Sequence, residues 1–157
     1  MITALTMYTL ATAIHVIFVV SFLAPAGAFS VIGPMARDNP PHAIFALKVN
    51  KKIYETLILP GVLVIWLTGI YQSADGGFAG DDLWLWISVG LFALSSIAAV
   101  FVLYPAVKFV LAELEARTEP GPPSEASQSK LKMMGKIGPL MGINMIVITF
   151  LMVAQPF

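Results

Sequence analysis

Four apolar segments, each long enough to cross a lipid bilayer, constrain this sequence more than any other feature. A helix rises 1.5 Å per residue, so about 20 apolar residues cover the roughly 30 Å hydrocarbon core. The four segments span about residues 5–32, 53–71, 83–107 and 137–154. Neither strand alternation nor a soluble amphipathic stripe matches such lengths. We therefore predict an all-α integral membrane protein, with residues 1–157 forming one bundle of four antiparallel transmembrane helices.

The composition agrees with a membrane protein and excludes several other classes. Hydrophobic residues make up 58% of the chain and charged residues 11%, and the mean hydropathy is +0.85. The formal net charge is zero, so no basic surface is available for nucleic acid, and we exclude that partner. The chain has no cysteine, which excludes disulfides, thiolate metal sites and a thiol nucleophile. Redox chemistry would therefore need a bound cofactor.

The first apolar segment resembles a secretory signal, because Ala26-Gly27-Ala28 looks like a cleavage site. However, no Lys or Arg precedes the segment, and its apolar run is longer than that of a signal peptide. We expect a transmembrane helix that is retained.

The cations predict the orientation of the bundle, because Lys and Arg accumulate in cytoplasmic loops. All nine lie between spans one and two or between spans three and four. They are Arg37, Lys48, Lys51, Lys52, Lys108, Arg117, Lys130, Lys132 and Lys136. The connection 72–82 and both termini carry none. We expect a multi-pass protein of the bacterial inner membrane with both termini in the periplasm.

The connections indicate where the helices end. Residues 42–54 favour a helix, so the second helix is expected to begin before the membrane, and the third is expected to continue towards Arg117. Residues 118–130 are predicted to form a flexible cytoplasmic loop. Pro60-Gly61 should bend the second span. Tyr71, Trp84 and Trp86 fit an aromatic belt at the outer boundary.

His15 is the histidine that lies inside the first span, seven residues beyond Tyr8 and so about 10 Å below the outer boundary. Ionisable groups at this depth are costly and often functional, and imidazole is a common ligand of haem iron. The alternative is a neutral imidazole that bonds to another helix, for example to Thr149 or to a backbone carbonyl. His42, beside Pro41, is expected to be solvated.

The fourth span carries methionines on one helical face. They are Met134, Met141, Met145 and Met152. Thioethers can bind Cu(I) or an axial position of haem, which makes Met145 a weak candidate ligand. The sequence favours the alternative, a flexible packing seam.

Gly138 and Gly142 form a small-residue pair that allows close helix approach, and the Asn144 amide can bond across such a contact. We therefore predict that these three residues pack helices together. Glu55 could transfer protons, but pairing with Lys51, four residues earlier, is the simpler interpretation.

Several short motifs together resemble a known family. They are His15 to Leu23 followed by Gly27, Leu67 to Tyr71, the tryptophan Trp84 at the start of span three, and Leu151 to Pro156. On these motifs the chain resembles the bacterial four-span family of predicted integral membrane proteins. More distantly, it is similar to copper-resistance D and HemJ-type membrane proteins.

The distant resemblance implies a b-type haem ligated by a histidine of the first span, the position that His15 occupies. HemJ-type proteins also carry a lysine in the third span, where this chain has Trp84 to Gly90 without one. The resemblance therefore does not extend to porphyrinogen oxidation.

Two functional hypotheses follow. The sequence favours a non-enzymatic subunit or accessory protein that contacts the lipid bilayer and other membrane subunits or a second copy of itself. The alternative is a membrane redox protein that binds haem b or a porphyrin through His15. No cofactor is assigned beyond this candidate haem, and no catalytic residue or metal site is predicted.

Overall fold

The predicted spans 53–71, 83–107 and 137–154 each lie within one long helix of the computed structural model, and residues 7–32 of the first span lie within a fourth. The structure describes residues 6–37, 40–75, 82–117 and 122–156, and no strand occurs in these ranges. The helices are α1 (Met7–Arg37), α2 (residues 40–75), α3 (Leu83–Glu115) and α4 (Glu125–Ala154). All four contain segments long and apolar enough to cross a membrane. The predicted fold class, an all-α membrane bundle, is confirmed.

The helices extend beyond the apolar spans at one end of the bundle. Helix α2 begins at Pro40 and α3 continues to Glu115, as the sequence predicted. The predicted loop 118–130 is too long, because α4 already begins at Glu125. The hydroxyl of Ser124 caps this helix by accepting a hydrogen bond from the backbone N–H of Ser127 at 3.2 Å. Residues 118–121 of that loop lie outside the described ranges.

Two helices widen into π-helical turns immediately before a proline. These turns are Tyr54–Ile58, before Leu59-Pro60, and Ala98–Leu103, before Tyr104-Pro105. Proline has no N–H, so the carbonyl of the residue four positions before it loses its usual backbone hydrogen-bond donor. In each case the residue preceding the proline donates instead to the carbonyl five residues back, Leu59 to Tyr54 and Tyr104 to Ala99. The irregularity expected at Pro60 therefore takes the form of a π-turn.

Side-chain contacts show that sequential helices are antiparallel neighbours. His15 bonds to Thr68 between α1 and α2. Tyr54 stacks on Tyr104, and Trp66 contacts Phe92, between α2 and α3. Asn144 bonds to Ser95 between α4 and α3, and α4 also packs along α1. The four helices thus surround one shared interior.

Aromatic and aliphatic side chains fill this interior. Phe92 lies at its centre, with its ring edge-on to Phe22 at 6.2 Å and 5.4 Å from the Trp66 ring. Trp84 is also buried, with 4% of its surface exposed, whereas Trp86 is 59% exposed. Trp86 and Tyr71 are exposed, as an aromatic belt requires, and the belt stays a prediction for them. The prediction for Trp84 is wrong, because its side chain is buried. Residues 84 and 86 differ by about 200° around a helix, so the two indoles face opposite sides.

The two ends of the bundle differ in charge. We call the end where α1 begins and α4 finishes the acidic end, since Asp75 and Asp82 lie there. We call the other the basic end. Its described cations are Lys48, Lys51, Lys52, Lys108, Arg117, Lys130, Lys132 and Lys136. At the basic end the Glu113 carboxylate accepts hydrogen bonds from Ser124, Ser127 and Arg117, and so ties α3 to the start of α4.

We expect replacement of Asn144 by alanine to lower the free energy of unfolding by about 1 kcal/mol, because two bonds between helices are lost. The amide nitrogen donates to the Leu91 carbonyl at 3.0 Å and to the Ser95 hydroxyl at 2.6 Å. Unfolding in mixed micelles measures the change. Thr149→Ala is the matched control, because the one hydrogen bond of the Thr149 hydroxyl seen among the described residues goes to the Met145 carbonyl of its own helix. Equal losses in the two variants would contradict the assignment.

Candidate functional site

His15 lies where α1 meets the half of α2 nearer the acidic end. It is eight residues from the first residue of α1, and Thr68 is seven residues before the last of α2, so both lie about 10–12 Å from the helix ends. The imidazole Nδ1 is 2.8 Å from the Thr68 hydroxyl. The expectation that His15 bonds to another helix is therefore confirmed. The suggested partner Thr149 was wrong, because that hydroxyl donates within α4.

The Thr68 hydroxyl determines which imidazole nitrogen carries the proton. Its oxygen lies 2.7 Å from the Val64 carbonyl, which can only accept. A hydroxyl has one proton, and leaving two oxygens at 2.7 Å without a proton between them would be repulsive. The proton of Thr68 therefore goes to Val64, and the hydroxyl accepts from His15. Neutral His15 is then the tautomer with hydrogen on Nδ1.

Gly69 forms the surface against which the imidazole ring packs. A Cβ atom at this position would lie 3.4 Å from His15 Cε1 and 3.9 Å from Nδ1. An added methyl group would therefore make van der Waals contact with the ring. The pair Thr68-Gly69 supplies both the acceptor and the space for this histidine.

The second ring nitrogen, Nε2, keeps its lone pair. Across the four ranges that the structure describes, no hydrogen bond to Nε2 is seen, and the ring also lies near the backbone of Ile65. An imidazole that donates through one nitrogen and presents the other is the usual arrangement of a metal-bound histidine. The geometry thus leaves His15 with one unused ligand atom.

Met145 does not meet His15. Its side chain is 1% exposed and belongs to the hydrophobic core that contains Phe22 and Phe92. Phe22 lies seven residues after His15, or about 10 Å further along α1. Met134, Met141 and Met152 pack against the same core. The methionine face is therefore a packing seam within the chain, and the thioether ligand stays a prediction without an arrangement that favours it.

The predicted packing residues of α4 have different surroundings. Asn144 bonds to α3, as expected. A Cβ atom at Gly138 would meet nothing within 4 Å, so that glycine is not required for close packing inside the chain. Gly142 is partly buried.

Two polar residues near the basic end behave as the simpler interpretation predicted. Glu55 lies 3.7 Å from Lys51 and also accepts a hydrogen bond from the Tyr104 hydroxyl at 3.1 Å. His42 is exposed at the start of α2. Neither residue belongs to the His15 site.

Two shallow depressions lie along α1, and the second of them also involves α4. One depression is lined by α1 residues including Thr9, Thr12, Ala13 and Val16. A second lies between Leu23 of α1 and a set of α4 residues, which are Ile146, Thr149, Phe150 and Val153. We call this surface the α1–α4 face. His15 lines neither depression.

Comparison with known proteins agrees with the architecture. A family model described as "Predicted integral membrane protein (DUF2269)" matches residues 9–156. The chain belongs to this family. No curated protein and no solved structure matches it. The family thus confirms the predicted resemblance and the membrane location, over nearly the whole chain.

In this family member, the candidate site consists of His15 and its uncharged neighbours Thr68 and Gly69. Within its described ranges, no three His, Asp or Glu side chains come together as a metal cluster would require. Sequence reasoning missed Thr68 and Gly69 as partners of His15. Counting residues from the connection 72–82 would have placed Thr68 at the depth of His15, but depth alone does not say which side of α2 faces α1.

We expect Thr68→Val to remove the acceptor for the Nδ1 proton while keeping the shape of the side chain. In the native protein, ¹⁵N spectra of labelled histidine, recorded well above the ordinary pKa of about 6.5, should show His15 protonated at Nδ1. The variant should show a mixture of tautomers. The variant His42→Gln assigns the ¹⁵N signals to the two histidines. The control variant Thr149→Val should leave the His15 signals unchanged. A native spectrum with hydrogen on Nε2 would contradict the assignment.

Proposed function

We propose that this protein is a non-enzymatic subunit or accessory protein of a membrane complex, and that a transmembrane helix of its partner docks on the α1–α4 face. The observation that carries the proposal is the concave and sparsely covered α1. Only 6% of its apolar window is buried, compared with 17–28% in the other three spans. A helix that its own bundle covers so little has a side available for a partner.

The side chains of this face suit helix association in lipid. Lipid tails are as apolar as leucine, so transmembrane helices associate through close packing rather than through hydrophobic burial. Thr9, Ala13, Val16 and Val20 are exposed at intervals of three or four residues, so they share one side of α1. Two of these four are small or polar, which allows close approach of another helix. The two depressions add a concave shape that a helix fits.

The polar groups of the interior also support a packing role. His15 bonds to Thr68, Asn144 to Ser95, and the Trp66 indole N–H donates to Ser96 at 3.3 Å. Each contact joins two helices of the same chain. These hydrogen bonds stabilise the bundle as a scaffold.

The distribution of cations supports an orientation for this scaffold. Every described Lys and Arg whose side chain is placed lies at the basic end, which we assign to the cytoplasm of a bacterial inner membrane. Both termini then face the periplasm.

We expect a photo-crosslinking residue at Ala13 or Val16 to capture a discrete protein in native membranes. The control is the same residue at Leu67, which is exposed on α2 and lines neither depression. Ala13→Trp, combined with the crosslinker at Val16, should reduce the adduct several-fold because the indole fills the depression. A mass shift equal to the chain itself would identify a second copy as the partner. Lipid adducts alone at all three positions would refute the docking proposal.

A second candidate function, a haem b or porphyrin protein, is favoured by one observation. His15 donates through Nδ1 and keeps the Nε2 lone pair unused, as a metal-bound imidazole does. Haem bound there would supply one-electron redox chemistry. In that case Thr68 would orient the ring, and Gly69 would leave it room.

Among the described residues, Nε2 of His15 is the histidine donor that could hold such a group, and no contact brings Met145 to it. A six-coordinate centre would therefore need its second ligand from a partner subunit, which makes this candidate compatible with the docking proposal.

For the haem candidate, we expect protein purified after haem-sufficient expression to show a Soret band in its visible absorption spectrum. His15→Ala should abolish the band, and Thr68→Val should weaken or shift it through the altered tautomer. His42→Gln should leave it unchanged, because His42 is exposed at the other end of the bundle. Colourless native protein, or a band that survives in His15→Ala, would exclude His15 as the ligand.

A further inference from the structure

Helix α3 presents a continuous exposed stripe to the side of the bundle. Its members recur at intervals of three or four residues, so they lie on one helix side. They are Leu94, Ile97, Phe101, Pro105, Lys108 and Ala112. Phe101 is 73% exposed, and the stripe is apolar from Leu94 to Pro105. It changes to a cation at Lys108, one residue beyond the predicted end of the span.

Two lysines lie near the basic end of this stripe, and the ammonium group of each lies over an aromatic ring. The Lys108 ammonium lies 5.4 Å from the centre of the Tyr104 ring on its own helix. The Lys130 ammonium reaches from α4 to 4.9 Å from the Phe109 ring, whose residue adjoins Lys108. Such cation–π contacts position an ammonium group without neutralising its charge.

Three of the four described carboxylates at the basic end have other partners, and the fourth, Glu125, is exposed and forms no ion pair within the described ranges. Glu55 is held by Lys51 and by the Tyr104 hydroxyl. Glu113 accepts from Arg117 at 3.0 Å and from Ser124 and Ser127. Glu115 lies 2.9 Å from Lys48. Within the described ranges, neither Lys108 nor Lys130 forms an ion pair.

We propose that Lys108 and Lys130 bind the headgroup phosphate of an anionic phospholipid in the leaflet at the basic end, with an acyl chain lying along Phe101, Ile97 and Leu94. Charge complementarity favours a phospholipid, because the two lysines lie at the end of an apolar surface. A phospholipid likewise has a charged phosphate at the end of its hydrocarbon chains, so its phosphate can meet the lysines while an acyl chain lies on the stripe. A free anion would leave the apolar stripe unused.

This site is independent of the α1–α4 face, since its residues belong to α3 and to the first turns of α4. A phospholipid bound at this site would be retained when the protein is extracted into detergent. The site also requires no assumption about which side of the membrane is the cytoplasm.

The experiment measures phospholipid binding to the delipidated full chain in detergent by native mass spectrometry and thermal shift. Phosphatidylglycerol is compared with phosphatidylcholine and with inorganic phosphate. We expect phosphatidylglycerol to bind preferentially to the native protein. Lys108→Gln with Lys130→Gln should weaken that binding about 25-fold, or about fivefold for each lysine. Lys108→Arg with Lys130→Arg should retain most of it, which separates loss of charge from loss of fold.

The control double variant is Lys132→Gln with Lys136→Gln. It removes the same charge from exposed positions of α4, and it should keep native affinity. The proposal is overturned if this control weakens binding as much as the Lys108 and Lys130 pair. It is also overturned if phosphatidylcholine binds as well as phosphatidylglycerol. Equal stabilisation by inorganic phosphate would identify a free-anion site and likewise overturn the lipid assignment.

Discussion

The backbone must satisfy its own hydrogen bonds wherever lipid surrounds it, and the rest of this structure depends on that requirement. An unpaired N–H or C=O in hydrocarbon costs several kcal/mol, so each apolar segment forms one continuous helix. Prolines challenge this requirement most directly, because each one removes a backbone N–H donor from its helix. At Pro60 and Pro105 the helix widens into a π-turn in which the preceding residue bonds five positions back. The helix therefore continues past each proline without a break.

Once the helices exist, a small number of polar side chains decides how they meet. The interior of a membrane bundle gains little from the hydrophobic effect, so directional contacts carry more of the specificity. Asn144 joins α4 to α3, Trp66 joins α2 to α3, and His15 joins α1 to α2. At the basic end, the hydrogen bonds to Glu113 hold the start of α4 against α3 in the same way.

These contacts also connect structure to function. Thr68 accepts a hydrogen bond from Nδ1 of His15, so in the proposed haem function a residue that stabilises the bundle would also present its other ring nitrogen to a ligand. The α1–α4 face and the lysines above the α3 stripe lie elsewhere on the surface. The proposed docking, haem and lipid sites therefore involve separate residues, and each can be altered without removing the others.

The sequence alone determined the fold class, the helix count and the side of the bundle that carries the cations, because length and hydropathy are local properties of the chain. It also predicted the pairing of Glu55 with Lys51, which needs only helical spacing. Tertiary structure decided the partner of His15, the burial of Trp84 and the inward direction of the methionine seam. These depend on how each helix is rotated about its axis. In lipid that rotation is set by contacts between helices, since apolar side chains are acceptable on every side.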